Sequence, residues 1–145
     1  MREILFRGKQ EDNGEWVYGR LLADNVIVPK GQDFYTSYNI LDSALHAYTV
    51  FTETVGQYIG LKDKNGKKIF EGDIVRATIE RGEGCQPTRT ENGVIGYDGI
   101  GMVGLILYKD KNGENVWSDF FNELSLSGTI DDYYFEVIGN VYDKI

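Results

Sequence analysis

Three carboxylates flank one short stretch of the chain and are the first candidates for chemistry. Asp63 precedes an Asn65-Gly66 pair, and Glu71 and Asp73 follow that pair with one residue between them. Carboxylates that converge can bind a magnesium ion and activate water for hydrolysis. The same residues also suit structural roles, because Asp63 favours a turn and Asp73 can accept backbone hydrogen bonds. We favour the structural interpretation and keep a metal-dependent hydrolase as the alternative.

Nucleophilic chemistry would have to use the single cysteine, Cys85, or the single histidine, His46. A cysteine nucleophile needs a base close to it, and these two residues are far apart in the sequence. His46 has neither a second histidine nor a cysteine nearby, as a metal site would require. We therefore interpret Cys85 as an incidental thiol and His46 as a surface or capping residue. No catalytic residue, metal or cofactor is predicted.

Four lysines surround the Asn65-Gly66 pair: Lys62, Lys64, Lys67 and Lys68. The chain carries a net charge of −8, yet residues 54–81 have an excess of two positive charges. Clustered lysines can contact the phosphates of a nucleic acid, but the acidic remainder of the chain opposes such binding. We favour a solvated turn whose charges discourage pairing between strand edges. Nucleic-acid contact through the Lys62–Lys68 hairpin remains an alternative.

The elements that position these side chains are expected to be β-strands. Asn65-Gly66 predicts a type I′ hairpin turn that joins residues 57–63 to residues 67–72. Residues 73–80 alternate between apolar and polar, which is typical of a half-buried strand with Val75, Ala77 and Ile79 on one face.

Most of the remaining chain also shows strand patterns, separated by glycine-rich turns. Residues 4–8 and 15–22 predict an N-terminal hairpin, and residues 26–28 a short third strand that Pro29 ends. Residues 30–47 are less regular, and residues 40–46 suit one or two helical turns. Residues 81–93 are polar and rich in breakers, which favours a long loop. Further strands are predicted at residues 48–51, 94–97, 102–108, 114–118 and 133–142.

Composition limits the class of protein. A chain of 145 residues suits one domain, or one domain with an arm. Its 41% hydrophobic residues and 18 glycines indicate a globular protein with short strands and many turns. A single cysteine excludes an internal disulfide and favours a reducing compartment. No apolar run approaches the roughly 18 residues that span a bilayer. We expect a cytoplasmic protein that does not enter a membrane.

Several phrases of the sequence resemble a known family. They are Thr54-Val-Gly-Gln-Tyr58, Gly60-Leu-Lys-Asp-Lys-Asn-Gly66 and Ile69-Phe-Glu-Gly-Asp-Ile-Val75, together with Phe6-Arg-Gly8, Trp16-Val-Tyr-Gly19 and Val137-Ile-Gly-Asn140. The chain resembles, nearly end to end, the YopX family of phage and prophage proteins, which usually has a threonine where this chain has Ile59. The resemblance implies an SH3-like small β-barrel core with an N-terminal extension, encoded by a phage or prophage of a bacterium. It implies no established reaction.

The predicted architecture is mainly β, with little helix. Residues 1–53 are expected to form an N-terminal β-hairpin extension and residues 54–145 the SH3-like barrel, as one cooperative unit. Several strands have apolar residues on both faces. We therefore predict a non-enzymatic binding or assembly module that acts as a homo-oligomer in the host cytoplasm. Binding to a different protein is an alternative. Five residues have functional groups that turn formation and backbone hydrogen bonding do not fully explain. We select them as candidate binding residues: Thr54, Gln57, Asp63, Glu71 and Asp73.

Overall fold

A computed structural model describes the chain over residues 3–26, 35–79, 89–97, 103–118 and 133–143. The protein is mainly β and its strands pair antiparallel, so the mainly β part of the predicted fold class is confirmed. Within the described ranges the helical element is a single 3-10 turn at Thr52–Thr54. The strands are β1 (Phe6–Lys9), β2 (Trp16–Val26), β3 (Tyr35–Leu41), β4 (Ala47–Val50), β5 (Gly56–Lys62), β6 (Lys68–Phe70), β7 (Asp73–Ile79), β8 (Arg89–Tyr97), β9 (Val103–Lys109), β10 (Asn115–Trp117) and β11 (Tyr133–Asn140).

The chain divides into two compact units, Met1–Tyr58 and Ile59–Lys144. In the first unit the strand order is β4-β3-β2-β1, and β1 also pairs with Gly56 and Gln57 at the start of β5. The predicted N-terminal hairpin is confirmed, with β1 and β2 paired. The sheet also curls, because an isolated bridge joins Gln10, just after β1, to Val50 of β4. Gly8 allows this approach: a Cβ added there would lie 2.9 Å from the Val50 side chain.

Residues 35–50 form two paired strands and the turn between them, not a helix. Residues 35–41 form β3, which pairs along its whole length with β2 and then turns back into β4. The interpretation of residues 40–46 as helical turns is therefore wrong. Tertiary pairing explains the difference, because Ile40 lies fully buried in the sheet. Val26, predicted to begin a third strand, is the last residue of β2, and residues 27–34 lie outside the described ranges.

The second unit contains a five-stranded antiparallel sheet in the order β10-β9-β8-β7-β11. β10 and β11 are its two edge strands. Its core contains Val75 and Ala77, both fully buried as predicted from their alternation. Burying an aliphatic side chain of this kind stabilises the fold by roughly 1.5–3 kcal/mol. The other buried members of this core are Ile59, Ile69, Ile95, Leu105 and Phe135.

The turn between β5 and β6 differs from the predicted type I′ turn. A type I′ turn requires positive φ at both central residues, but of Asn65 and Gly66 only Gly66 has a positive φ, of 82°. The Gly66 N–H donates to Asp63 O (3.0 Å), and the Asp63 N–H donates to Lys67 O (2.7 Å). This pattern fits a type I turn followed by a glycine bulge, which is a three-residue hairpin loop. The predicted hairpin is correct and its turn type is wrong.

The predicted loop at residues 81–93 is too long, because β8 already begins at Arg89 and pairs with β7. Polar residues at the end of that predicted loop form the first part of β8. They precede the apolar Val94 and Ile95, from which the sequence predicted the strand. Residues 80–88, with Cys85, and residues 119–132 lie outside the described ranges. In the ranges that are described, no helix is both long enough and apolar enough to cross a membrane.

Gly72, the glycine that precedes β7, explains how the Glu71-Gly72-Asp73 phrase functions locally. Gly72 has a φ of 89°, and its N–H donates to Ile95 O at 2.9 Å. Its oxygen accepts from the Val141 N–H at 3.0 Å. A Cβ at Gly72 would lie 2.7 Å from the ring of Tyr142. Glycine is therefore required both for the backbone conformation and for the packing of Tyr142 against this corner.

Candidate functional site

The Asp63 side chain, a predicted binding residue, is committed to the hairpin loop. One carboxylate oxygen, Oδ1, accepts hydrogen bonds from the Asn65 and Lys67 N–H groups, both at 2.9 Å. The other oxygen, Oδ2, accepts from the Val137 N–H at 3.1 Å, on β11. Next to it, the Lys64 N–H donates to Phe135 O at 2.8 Å. Asp63 thus shapes the loop and attaches it to the outer edge of β11.

The protonation of Asp63 reflects these contacts. Burial by itself raises the pKa of this carboxyl. The N–H donors of Val137, Lys67 and Asn65 act in the opposite direction, together with the Lys67 charge, and hold its pKa below the usual value. The side chain is therefore a carboxylate at neutral pH, with its oxygens already used as acceptors.

Two further predicted binding residues, Thr54 and Asp73, are buried and bonded to backbone. Asp73 is 1% exposed and accepts from the Phe70 N–H at 2.8 Å. Thr54 is fully buried; its hydroxyl accepts from the Lys9 N–H at 2.9 Å and donates to Phe51 O at 2.6 Å. Both side chains satisfy backbone groups that burial would otherwise leave without partners.

The remaining predicted binding residues, Gln57 and Glu71, are half-buried. Within the described part of the chain, no three or more histidine, cysteine, aspartate or glutamate side chains form a group that could hold a metal ion. Asp63, Glu71 and Asp73 all belong to that part. Their convergence on a magnesium ion, the basis of the hydrolase alternative, is therefore not a property of this arrangement.

The lysines of the hairpin have different surroundings. Lys62, Lys64 and Lys67 are exposed, and Lys68 is half-buried. The Lys64 ammonium lies 3.2 Å from Glu136 Oε2. Part of the positive charge at this loop is thus compensated by a carboxylate of β11. The prediction of nucleic-acid contact through these lysines stays a prediction.

The turn built around Asp63 occurs at two other places in the part of the chain that the structure describes. At the end of β9, the Asp110 N–H donates to Glu114 O at 2.8 Å and the Gly113 N–H donates to Asp110 O at 3.0 Å. Asp110 Oδ1 accepts from the N–H groups of residues 112 and 114. These are the hydrogen bonds of Asp63 at equivalent positions, and Gly113 has a φ of 79°.

The third copy of this turn joins β3 to β4. The Asp42 N–H donates to His46 O at 3.0 Å, and the Leu45 N–H donates to Asp42 O at 3.1 Å. Asp42 Oδ1 accepts from the Ala44 and His46 N–H groups, both at 2.9 Å. The hydrogen bonds match those of the other two turns, but the position of their glycine is occupied by Leu45. His46 is an exposed turn residue, 3.8 Å from the Asp42 carboxylate.

Leu45 combines an unfavourable backbone with an unfavourable environment. Its φ is 65°, and within the described residues no other non-glycine residue has a positive φ. Such a conformation costs an L-residue roughly 1–2 kcal/mol. Its side chain is also 77% exposed to solvent. A leucine that improves neither the turn nor the core is a candidate for a role in binding.

Leu45 borders a pocket of about 390 Å³ in the first unit. The pocket is lined mainly by apolar side chains, and Ile4 on its rim is 71% exposed. Pockets that bind small ligands or side chains start at roughly 300 Å³ and are largely apolar with a few polar groups. Polar groups here come from Arg20, Asp42 and Ser43, and the apolar wall comes from Ile4, Leu5, Leu41 and Leu45.

The two charged residues of the pocket differ in availability. Asp42 is held by its own turn: the His46 N–H lowers its pKa most, burial acts against this, and the Tyr48 hydroxyl, which donates to Oδ2 at 3.2 Å, lowers it further. Arg20 is exposed, and within the described residues no carboxylate lies at ion-pair distance from it. Arg20 is therefore the cation that the pocket presents.

Sequence reasoning missed this pocket. The signal was present in the spacing, because Asp42-Ser-Ala-Leu-His46 aligns with Asp63-Lys-Asn-Gly-Lys67 when both are treated as hairpin loops. The helical interpretation of residues 40–46 concealed that alignment. Without it, a leucine at the glycine position could not be recognised as unusual.

Comparison with known proteins supports the resemblance described above. A family model with the description YopX protein matches residues 5–144, which is nearly the whole chain. A search of curated proteins found no significant match. On the strength of the family match, this chain belongs to the YopX family.

Proposed function

We propose that this protein is a non-enzymatic binding or assembly module that acts as a homo-oligomer. Its contact surface is the pocket of the first unit that has Ile4 and Leu45 on its rim, named here the Ile4–Leu45 pocket. One observation carries the proposal: Leu45 is held at a φ of 65° and is 77% exposed at the rim of the pocket. Glycine would relieve the backbone and remove the apolar surface. A leucine in that position is useful only if something covers its side chain.

The polar candidates support a binding role over catalysis. Thr54, Asp63 and Asp73 are at most 7% exposed, and each is hydrogen-bonded to backbone. Groups in that state are poor acids, bases or ligands, because using them would break the local fold. The pocket, in contrast, offers open apolar surface and one exposed guanidinium.

The family suggests a setting for this function. We propose a phage or prophage origin and a place in the cytoplasm of the bacterial host. We also propose that the second unit is an SH3-like barrel. Its five-stranded sheet supports this, as does the hairpin loop that donates from the Lys64 N–H to Phe135 O at the β11 edge. Barrels of this kind present loops and edges to partners.

Sedimentation velocity over a range of protein concentrations tests the proposed function. The wild type should self-associate. A pocket variant, Ile4→Ser with Leu45→Gly, should dissociate at least about tenfold more readily, because two exposed apolar side chains leave the contact. Leu61→Thr is the matched control, since Leu61 is an exposed leucine of the second unit and should leave assembly unchanged. A wild type that stays monomeric at high concentration would contradict the proposal.

A second candidate function is nucleic-acid contact through the hairpin loop, which the exposed ammonium groups of Lys62 and Lys67 favour. A gel shift at several salt concentrations tests it. Binding should weaken steeply with salt and be lost on Lys64→Glu with Lys67→Glu. Absence of a shift at low salt would remove this candidate.

A further inference from the structure

The end of β11 carries a second exposed apolar surface. β11 pairs with β7, and the register shifts between Val137 and Gly139, so that Ile138 lies at a bulge. Ile138 is 44% exposed, and Val141, just beyond the strand, is 47% exposed. Bulges commonly redirect a side chain away from the sheet. These two residues are exposed apolar side chains near the end of β11, and neither belongs to the core of the second unit.

This surface also carries a negative charge. Asp143 is exposed, and its carboxylate closes the turn after β11, accepting from the Asn140 N–H at 3.2 Å and from Asn140 Nδ2 at 2.7 Å. An exposed carboxylate retains lone pairs for further donors. Ile138, Val141 and Asp143 together are named the β11 end. Its negative charge is opposite in sign to the charge of Arg20 in the pocket.

We infer that the occupant of the Ile4–Leu45 pocket is the β11 end of a second copy of this chain. This inference rests on the proposed function and adds the partner surface. Ile138 and Val141 supply apolar side chains for the apolar wall, and Asp143 supplies a carboxylate for Arg20. Charge pairs at the rim of an apolar contact mainly set its orientation and its selectivity.

A contact between two unlike surfaces is head-to-tail. In the alternative, a symmetric contact between two pockets, the exposed Ile138 and Val141 of both copies would stay uncovered. A head-to-tail contact covers one pocket and one β11 end, and the resulting dimer retains one open pocket and one open β11 end for further copies.

Mixing two defective variants tests the direction of the contact. The pocket variant is Ile4→Ser with Leu45→Gly, and the β11-end variant is Ile138→Ser with Val141→Ser. Each alone should sediment as a monomer at a concentration where the wild type assembles. Mixed in equal amounts, they should form a one-to-one dimer and nothing larger, because only one intact pocket and one intact β11 end are present.

The outcomes separate this inference from the proposed function. If the wild type assembles but the mixture stays monomeric, the head-to-tail contact is wrong while self-association stands. If the β11-end variant assembles like the wild type, the occupant is another surface and the inference fails. If the wild type itself is monomeric, both fail. Circular dichroism of each variant shows whether it is folded.

Arg20→Gln preserves the apolar wall of the pocket. Introduced into the β11-end variant, which supplies the intact pocket, it should weaken the mixed dimer several-fold.

Discussion

Leu45 and Gly66 occupy the same position in two turns with the same hydrogen bonds, at φ values of 65° and 82°. In both, this residue donates its N–H to the oxygen of the aspartate three positions earlier, at 3.1 Å and 3.0 Å. One position is therefore filled by the residue that the geometry favours and the other by one that it disfavours. The comparison isolates the cost of the leucine within a single protein.

Replacing Leu45 by glycine should raise the stability of the monomer. The left-handed backbone would no longer oppose a Cβ, so the free energy of unfolding should rise by about 1 kcal/mol. Urea denaturation at a concentration where the protein is monomeric measures this, because self-association would otherwise add to the stability of the wild type. The reciprocal change, Gly66→Leu, should lose a similar amount. A loss of stability on Leu45→Gly would show that its side chain serves the fold.

Asp63→Asn should destabilise the second unit more than Asp110→Asn. The amide retains one oxygen, which can still accept from the Asn65 and Lys67 N–H groups, but its NH₂ would face the donating Val137 N–H. Losing that charged acceptor should cost about 1.5–3 kcal/mol. Asp110 has the same turn, and the described contacts of its carboxylate are confined to that turn, so Asp110→Asn should cost less than about 1 kcal/mol. Equal losses would contradict the role of β11.

The lowered pKa of Asp63 also predicts how stability depends on pH. The folded state holds this carboxyl at a pKa below the 3.8 of an ordinary aspartate. Its contribution is therefore fully present above the unfolded pKa and is lost as the pH falls below 3.8 through the folded pKa. Acid denaturation curves of the wild type and Asp63→Asn should converge in that range. Curves that remain parallel down to the lowest pH would show that other groups account for the acid sensitivity.

Thr54→Val should destabilise the first unit more than Thr54→Ser does. Valine has nearly the shape of threonine but cannot accept from the buried Lys9 N–H, which now bonds to the Thr54 hydroxyl at 2.9 Å. Leaving a buried donor without a partner costs about 1–3 kcal/mol. Serine retains the hydroxyl and loses only a methyl group. Thermal or urea denaturation gives the comparison, and a valine variant as stable as the serine variant would rule out this account.

Gly19→Ala should be among the most damaging single changes in the first unit. A Cβ at Gly19 would lie 2.0 Å from Leu41 O, a backbone atom of the paired strand β3 that cannot move alone. We expect a loss of about 3 kcal/mol, or failure to fold. Gly66→Ala is the control, because a Cβ there meets no atom within 4 Å and only its φ of 82° opposes it. That change should cost about 1 kcal/mol.

The sequence predicted those features of the structure that local chemistry decides, and it missed features that depend on tertiary contacts. The alternation of Val75, Ala77 and Ile79 identified β7 because burial on one face leaves a period of two. The Asn65-Gly66 pair located the hairpin, but its turn type depends on Asp63, whose carboxylate holds the loop as a type I turn. Short-range propensity could not weigh that contact.

The pocket was further from reach of the sequence. Its wall residues come from the segment before β1, from β2, and from the end of β3 with the turn that follows, and only pairing such as that of Arg20 with Leu41 brings them together. Thr54 and Asp73 were selected as binding residues because their functional groups had no obvious local use. Their partners, the N–H groups of Lys9 and Phe70, became visible only with the fold.

The bond between Asp63 Oδ2 and the Val137 N–H joins residues that are 74 positions apart in the chain. During synthesis on the ribosome, the loop at Asp63 therefore emerges long before the strand that completes its hydrogen bonds. Phe135 of the same strand is also a member of the core. Until β11 has been synthesised, part of the apolar interior of the second unit stays uncovered. Chaperones, or premature contacts with neighbouring chains, would act on the unit during this interval.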